Sequence, residues 1–194
     1  MTPETLESIV AKLCSPGVES LIPWMYRDDS DKGIVTAGAG HAIFSQSTAV
    51  DLPWTLPDGP APVQTVIHDY QAVLAAPLGH TAGFYAQFSQ CRLSVADCKA
   101  LCATDMSDRW AKALVGMPDL DRYPEPVQRA IADLLYNAGA YIFANGHWPA
   151  LTRAVLANDW AAAAVQSHRA PPISEDRNRY VQDLFLGALP PKPG

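Results

Sequence analysis

The sequence predicts an α+β fold, with a small β region near the N-terminus followed by a mostly helical remainder. β-prone pieces occur between residues 19 and 41, whereas apolar residues recur at helical spacing from residue 63 onward. The chain has 194 residues, enough for one domain with a sizeable core. We therefore expect a single domain, with a β-containing lobe over about 18–62 and a helical lobe over about 63–187.

The first helix is predicted over about 3–13. Thr2, Pro3 and Glu4 form a typical helix start, with a capping residue, a proline at the first helical position and an acid in the first turn. A β-hairpin is predicted around the acidic stretch 28–33, which is followed by the β-prone residues 34–36. Residues 45–62 are rich in Pro, Gly, Ser and Thr, so we expect a loop or irregular flap there.

Helices are predicted for most of the remaining chain. Apolar residues from Val63 to Leu74 recur at helical spacing, and a break follows near Gly79 and Gly83. Ser94 and Asp97 form a capping-box pattern at the start of a long helix ending near residue 115. Further helices are predicted over 124–138, 149–157, 159–167 and 174–186.

Composition excludes several classes of function. The formal net charge is −6 and no basic cluster occurs, which argues against nucleic acid as the main partner. No apolar run reaches the length of a membrane span, and the first residues lack the pattern of a signal peptide. We therefore expect a protein that is made in the cytoplasm and is not inserted into a membrane. Any export would use a route that needs no signal peptide.

The cysteines and histidines give little support for a metal site. The four cysteines contain no CxxC pair and the five histidines are scattered, so neither a metal nor an organic cofactor is expected. Buried thiols are the simpler interpretation, and a disulfide formed after export is the alternative. The cysteines are Cys14, Cys91, Cys98 and Cys102.

Residues 19–41 concentrate the groups that glycosidic bond cleavage requires. Glu19 stands among apolar residues, a setting that favours a protonated carboxyl, whereas Asp28 stands in a polar turn that favours the ionised form. A proton donor and a carboxylate in separate environments are the two groups that a glycoside hydrolase uses. A merely solvated acidic turn is the alternative interpretation of this stretch.

The spacing of these residues resembles the phage-type lysozyme family. Glu19, Asp28 nine positions later and the turn Thr36-Ala-Gly-Ala-Gly-His41 match the order of that family's signature. Residues 134–139 and 177–187 also resemble its central and C-terminal helices. The resemblance covers about 18–44 and 93–187, and leaves 45–92 unmatched.

The resemblance implies a lysozyme-like fold and a role for each matched residue. Glu19 would be the general acid, Asp28 the assisting anion and Thr36 the residue that helps to place the attacking water. His41 would pair with Asp105. The substrate-binding residues would be Tyr26, Gly38, His41, Asn137 and Arg179, with Arg177 as the second choice for the arginine that reaches the catalytic Glu.

One departure from the family pattern leaves alternatives open. The gap between Asp28 and Thr36 is about two residues longer than usual, so Asp29 or Asp31 could take the place of the anion.

The large aromatic residues are expected to pack in the core by default, and Trp54 in the Pro-rich segment is the candidate for stacking on a sugar.

The expected activity is that of a muramidase, which hydrolyses the β-1,4 bond between N-acetylmuramic acid and N-acetylglucosamine with inversion. The expected partners are peptidoglycan strands, and the enzyme is expected to be a monomer that acts in the periplasm or on the cell wall after lysis or secretion. As an endolysin or a secreted antibacterial toxin, it could meet an immunity protein that occupies the cleft. The alternatives are a non-catalytic relative that binds glycan or protein, and a hydrolase of chitin or chitosan.

Overall fold

The computed structural model describes residues 1–16, 18–30, 32–143 and 147–190, and it has an α+β fold as predicted. The helices in these ranges are α1 (Pro3–Leu13), α2 (Gln46–Val50), α3 (Val63–Ala75), α4 (Ala82–Tyr85), α5 (Val95–Gly116), α6 (Glu125–Ala138), α7 (Pro149–Leu156), α8 (Trp160–Gln166) and α9 (Glu175–Gly187). The strands are β1 (Ile22–Arg27), β2 (Val35–Gly38), β3 (His41–Ile43), β4 (Thr55–Leu56) and β5 (Gly59–Pro60).

The chain divides into two compact units. One unit comprises residues 11–104, and the other comprises residues 1–10 and 105–194. This division differs from the predicted boundary near residue 62, because α3 packs against β1, β2 and α2 and so belongs with the sheet. We refer to residues 11–104 as the sheet unit and to the other residues as the helical unit.

The sheet unit contains a three-stranded antiparallel sheet in the order β1-β2-β3. Tyr26 pairs with Thr36 across β1 and β2, and Thr36 pairs with Ala42 across β2 and β3. Gly38 and Gly40 have φ angles of +62° and +94°, which only glycine adopts without strain at the turn between β2 and β3. The predicted hairpin is confirmed, and β3 is a strand that the sequence did not indicate.

The core of the sheet unit is formed by residues from the sheet, from α2 and α3, and from the segment before α5. Trp54 is part of this core, with 3% of its surface exposed, and its indole N–H donates to the Ala49 carbonyl at 2.8 Å. The hypothesis that Trp54 stacks on a sugar is therefore wrong, because its ring is covered by the protein. The Pro-rich segment holds the short helix α2 and the small β4–β5 hairpin, and no long helix or central strand, as its composition predicted.

The buried carboxylate of Asp69 holds the segment before α5 in place. Asp69 lies on α3 and is fully buried, and one of its carboxylate oxygens accepts backbone N–H bonds from Gln90 at 2.6 Å and Cys91 at 2.8 Å. The Ser89 hydroxyl donates to the same oxygen at 3.3 Å. This carboxylate supplies the partners that a buried irregular backbone needs.

The helical unit is formed mainly by α6 to α9, in which α9 packs on both α6 and α8, and α8 packs on α7. The Trp160 ring lies between Tyr123, at a centroid distance of 5.4 Å, and Phe185, at 6.4 Å. Asp159 caps α8 by accepting the Ala162 N–H at 2.9 Å. In the described part of the chain, no helix is both long and apolar enough to cross a membrane.

Candidate functional site

The turn between β1 and β2 is built around the carboxylate of Asp28. Its Oδ1 accepts the Ser30 hydroxyl at 2.6 Å, the Ser30 N–H at 3.3 Å and the Ile34 N–H at 2.8 Å. The Asp28 N–H in turn donates to the Ile34 carbonyl at 3.0 Å. Asp28 is thus held at the position where the hairpin loop begins. Asp29 is exposed, and Asp31 lies outside the described residues.

Arg27 holds the same turn from the other side. Its Nε donates to the Gly33 carbonyl at 2.9 Å and its Nη2 to the Lys32 carbonyl at 3.2 Å. Its Nη1 donates to the carbonyls of Leu74 at 2.9 Å and Ala76 at 3.1 Å, at the end of α3. The guanidinium therefore links the hairpin turn to α3 through backbone carbonyls.

Thr36 lies in the middle strand and is buried, with 3% of its surface exposed. Its hydroxyl donates to the Ile34 carbonyl at 3.0 Å, and Ile34 is the residue whose N–H binds Asp28. The Thr36 proton is engaged within the hairpin, although the hydroxyl oxygen retains acceptor capacity. The carbonyl and the N–H of Ile34 thus connect Thr36 to Asp28 through the backbone of one residue.

Glu19 is half-buried in the bend that follows α1, where its N–H donates to the Leu13 carbonyl at 3.0 Å. Its charge acts on Tyr26 of β1: burial raises the pKa of the Tyr26 phenol well above its ordinary value, and the carboxylates of Glu19, Asp28 and Asp29 raise it further. The charges of Glu19 and Asp28 therefore act on the same side chain, that of Tyr26.

The remaining predicted residues of the sheet unit lie on its turn between β2 and β3. Gly38 is buried at the end of β2, and His41 is half-buried at the start of β3, where it pairs with Ala37. Asp105 belongs to the helical unit, so the predicted pair of His41 and Asp105 would join the two units and stays a prediction.

Asn137 and Arg179 also belong to the helical unit, and their predicted roles in binding substrate stay predictions. Asn137 is exposed in the last turn of α6, where its side-chain oxygen accepts from Arg169 at 3.4 Å. The side chain of Arg179 is 71% exposed and lies 3.9 Å from Asp176, one turn away on α9. Arg177, the second choice, is buried and pairs with Asp133.

The pairing of Arg177 is part of a buried ionic cluster that the sequence did not indicate. Asp133 accepts from Arg169 Nη1 at 2.7 Å and from Arg177 Nε at 3.0 and 3.2 Å. Asn178 accepts from the Arg169 N–H at 3.1 Å and donates its amide N–H to the Arg169 carbonyl at 2.8 Å. A signal was present in the sequence, because Asp133 lies in the otherwise apolar run of α6.

Cys91, Cys98 and Cys102 are buried thiols and Cys14 is a half-buried one. Burial raises the pKa of the Cys91 thiol to about 12, with Asp69 adding to the effect through a hydrogen bond and its charge. Burial also raises the pKa values of Cys14 and Cys98. Among the described residues, no group of three or more His, Cys, Asp or Glu side chains is arranged to hold a metal ion.

No protein-family model matches the chain, and no curated protein shows significant similarity to its sequence. A functional assignment therefore depends on the residues and geometry of the site.

Proposed function

We propose that the chain is a glycoside hydrolase of the muramidase type with a lysozyme-like catalytic unit, in which Glu19 donates a proton and Asp28 is the second carboxylate. The observation that carries the proposal is the surroundings of Tyr26, whose phenol is acted on by the charges of both acids. Acid-assisted glycoside hydrolysis requires two carboxyl groups that flank the same bond, and here Glu19 precedes β1 whereas Asp28 follows it. The sequence order of Glu19, Asp28 and Thr36 adds the resemblance to phage-type lysozymes.

In the proposed reaction, Glu19 transfers its proton to the glycosidic oxygen as the bond from that oxygen to the sugar breaks. Asp28 accepts a proton from a water molecule whose oxygen bonds to the sugar carbon from the opposite face. Inversion is the outcome. Thr36 acts here as a positioning residue, because its hydroxyl binds the Ile34 carbonyl and the Ile34 N–H binds Asp28.

Asp28 is preferred over Asp29 because its carboxylate is fixed. It accepts three hydrogen bonds from the turn, whereas Asp29 is exposed. A catalytic group held in place by its neighbours loses less orientational freedom as the transition state forms. Asp28→Asn is therefore expected to lower kcat on peptidoglycan more than Asp29→Asn does.

The test is the release of reducing ends from purified peptidoglycan by the wild-type chain and by Glu19→Gln. Loss of the general acid is expected to lower the rate by about 10²-fold or more. Glu7→Gln is the matched control, because Glu7 is exposed on α1, and it should retain the wild-type rate. Equal rates for Glu19→Gln and the wild type would refute the assignment of Glu19.

The same assay separates the alternatives. Binding to peptidoglycan without release of reducing ends would indicate a non-catalytic glycan-binding protein, and release from chitin alone would indicate a different substrate. The biological setting we propose is lysis of the cell wall, as an endolysin or a secreted toxin. In the second setting, a small periplasmic protein that blocks hydrolysis stoichiometrically would be the immunity partner.

A further inference from the structure

Three of the four cysteines lie together in the sheet unit. Cys14 directly follows the last residue of α1, and Cys98 and Cys102 stand four positions apart on α5, so these two share one face of that helix. The thiols of Cys14 and Cys102 are hydrogen-bonded to each other, and the charge of an ionised Cys14 acts on Cys98. The end of α1 and the first turns of α5 therefore meet at a cluster of thiols.

Cys102 is the partner that Cys14 contacts through its sulfur. Because an S–H group is a weak donor, a hydrogen bond between two thiols requires their sulfur atoms to be in contact. Cys98 packs against the turn between β2 and β3, where a Cβ added to Gly38 would lie 3.6 Å from the Cys98 Cα and 3.7 Å from its Cβ. A disulfide needs a specific separation of its two side chains, so the pair already in contact is the pair that can form one with little movement.

We propose that Cys14 and Cys102 are an oxidation site, at which a disulfide forms when the protein leaves a reducing compartment. The disulfide joins residues 14 and 102 and so encloses almost the whole sheet unit, which spans 11–104. Closing so long a loop removes many conformations from the unfolded chain and thereby stabilises the folded one. Such bonds persist in oxidising compartments and are rare in reducing ones.

The reaction is a thiol–disulfide exchange with a small disulfide, for which oxidised glutathione is the probe. Cys14 is half-buried and Cys102 is 1% exposed, so the Cys14 thiolate attacks first, breaking the glutathione S–S bond and releasing one glutathione thiolate. The Cys102 thiol then loses its proton and attacks the Cys14 sulfur of the mixed disulfide, which releases the second glutathione. The two protons of the protein thiols pass to the two glutathione thiolates, so the protein loses two electrons and the glutathione disulfide gains them.

The disulfide also holds the segment that leads to Glu19. The Glu19 N–H donates to the carbonyl of Leu13, the residue before Cys14, at 3.0 Å. The Glu19 charge acts on the Cys14 thiol as well. Fixing Cys14 to α5 therefore fixes the start of the bend that carries Glu19. This consequence for the site rests on the proposed function, whereas the disulfide itself does not.

The test is a peptide map of the wild-type chain after incubation with oxidised glutathione. Unreacted thiols are alkylated with N-ethylmaleimide before digestion. Trypsin cuts after Lys and Arg, so Cys14, Cys91, Cys98 and Cys102 fall in four separate peptides, 13–27, 33–92, 93–99 and 100–109. We expect the protein to lose about 2 Da on oxidation and peptide 13–27 to be joined to peptide 100–109. The midpoint of urea denaturation should rise by about 1–2 M relative to the reduced protein.

Single substitutions confirm the pairing. Cys14→Ser and Cys102→Ser should each lose the cross-link and the rise in the midpoint. Cys98→Ser is the matched control, one turn earlier on α5, and it should keep both. Because the thiolate is the attacking species and burial raises the pKa of Cys14, the rate of oxidation should increase about tenfold per pH unit between pH 7 and 9. The map of the wild type identifies the bonded pair even where a variant does not fold.

The outcomes separate this inference from the proposed function. If peptides 13–27 and 100–109 are joined but peptidoglycan releases no reducing ends, the disulfide stands and the muramidase proposal fails. If reducing ends are released but all four thiols remain open to alkylation after oxidation, the muramidase proposal stands and the disulfide fails. A cross-link from 13–27 to 93–99, a stable glutathione adduct on Cys14, or an unchanged midpoint would also overturn the inference.

Discussion

Replacing Asp133 with Asn is the substitution that should most destabilise the helical unit. The Asp133 side chain is 3% exposed and those of Arg169 and Arg177 are each 6% exposed, so the carboxylate and both guanidinium groups are away from water. Asn has nearly the same shape but carries no charge, and its NH₂ group cannot accept hydrogen bonds from a guanidinium. The variant would therefore retain two buried cations without their carboxylate.

The size of the effect follows from this burial. Removing one partner of a buried, hydrogen-bonded ion pair costs about 3–5 kcal/mol, because the remaining charge stays desolvated. With an unfolding m-value of about 2 kcal/mol/M in urea, the midpoint of denaturation should fall by about 1.5–2.5 M. The change should be seen by tryptophan fluorescence, since Trp160 packs against Phe185 of α9.

Asp176→Asn is the matched control, because it makes the same change on an acid that faces an arginine of the same helix. Asp176 and Arg179 are 94% and 71% exposed and lie 3.9 Å apart. Exposed pairs contribute about 0–1 kcal/mol, so the midpoint should fall by less than about 0.5 M. A loss below about 1 kcal/mol for Asp133→Asn, or equal losses for the two variants, would refute the reasoning.

Three further substitutions test the sheet unit and its capping residues. Arg27→Met removes every hydrogen bond from the guanidinium to the hairpin and α3, and should lower the free energy of unfolding in urea by about 2–4 kcal/mol. The control is Arg122→Met, whose side chain is 84% exposed, and it should lower the free energy of unfolding by less than about 0.5 kcal/mol. The raised pKa of Cys91 means that the native state keeps a proton that the unfolded state loses between about pH 9 and 12. The contribution of this thiol to stability is therefore full below pH 9 and is lost as the pH rises from about 9 to 12. Over that range, the free energy of unfolding of Cys91→Ala should decline less steeply with pH than that of the wild type. An equal slope for the two proteins would contradict the raised pKa of Cys91. Ser94→Ala should cost about 1 kcal/mol, because it removes the acceptor of the Asp97 N–H at 3.0 Å, and no change in the midpoint would show that the cap is dispensable.

The sequence predicted the helices well because their ends are determined locally. The capping box of Ser94 and Asp97 is formed as predicted, and Gly139 ends α6 with a φ angle of +93°. Such signals involve residues three or four positions apart, which a sequence pattern contains directly. The strand β3 has three residues and depends on pairing with β2, so its own sequence carries little signal.

The buried acids were not predicted, because their partners are distant along the chain. Asp133 binds arginines 36 and 44 residues away, and no spacing rule connects such positions. Asp69 offers a partial signal, since with Val66, Tyr70 and Val73 it occupies the buried stripe of α3 at helical spacing. An acid at a core position of an amphipathic helix predicts a buried carboxylate, although it does not identify the groups that will bind it.

The gap between Asp28 and Thr36, about two residues longer than in the lysozyme signature, left three aspartates as candidates for the second carboxylate. The hydrogen bonds of the hairpin explain why Asp28 is preferred among them. Asp28 and Ile34 bind each other twice, through the Asp28 N–H and through the Asp28 carboxylate, so the hairpin is closed at this pair. Inside it, the Gly33 N–H donates to the Ser30 carbonyl at 2.8 Å. The loop of the hairpin lies beyond this pair, and Tyr26 pairs with Thr36 across β1 and β2 on its other side. This closure favours Asp28 as the acid that keeps a fixed position relative to Thr36, and it makes Asp28→Asn the substitution on which the proposed mechanism most depends.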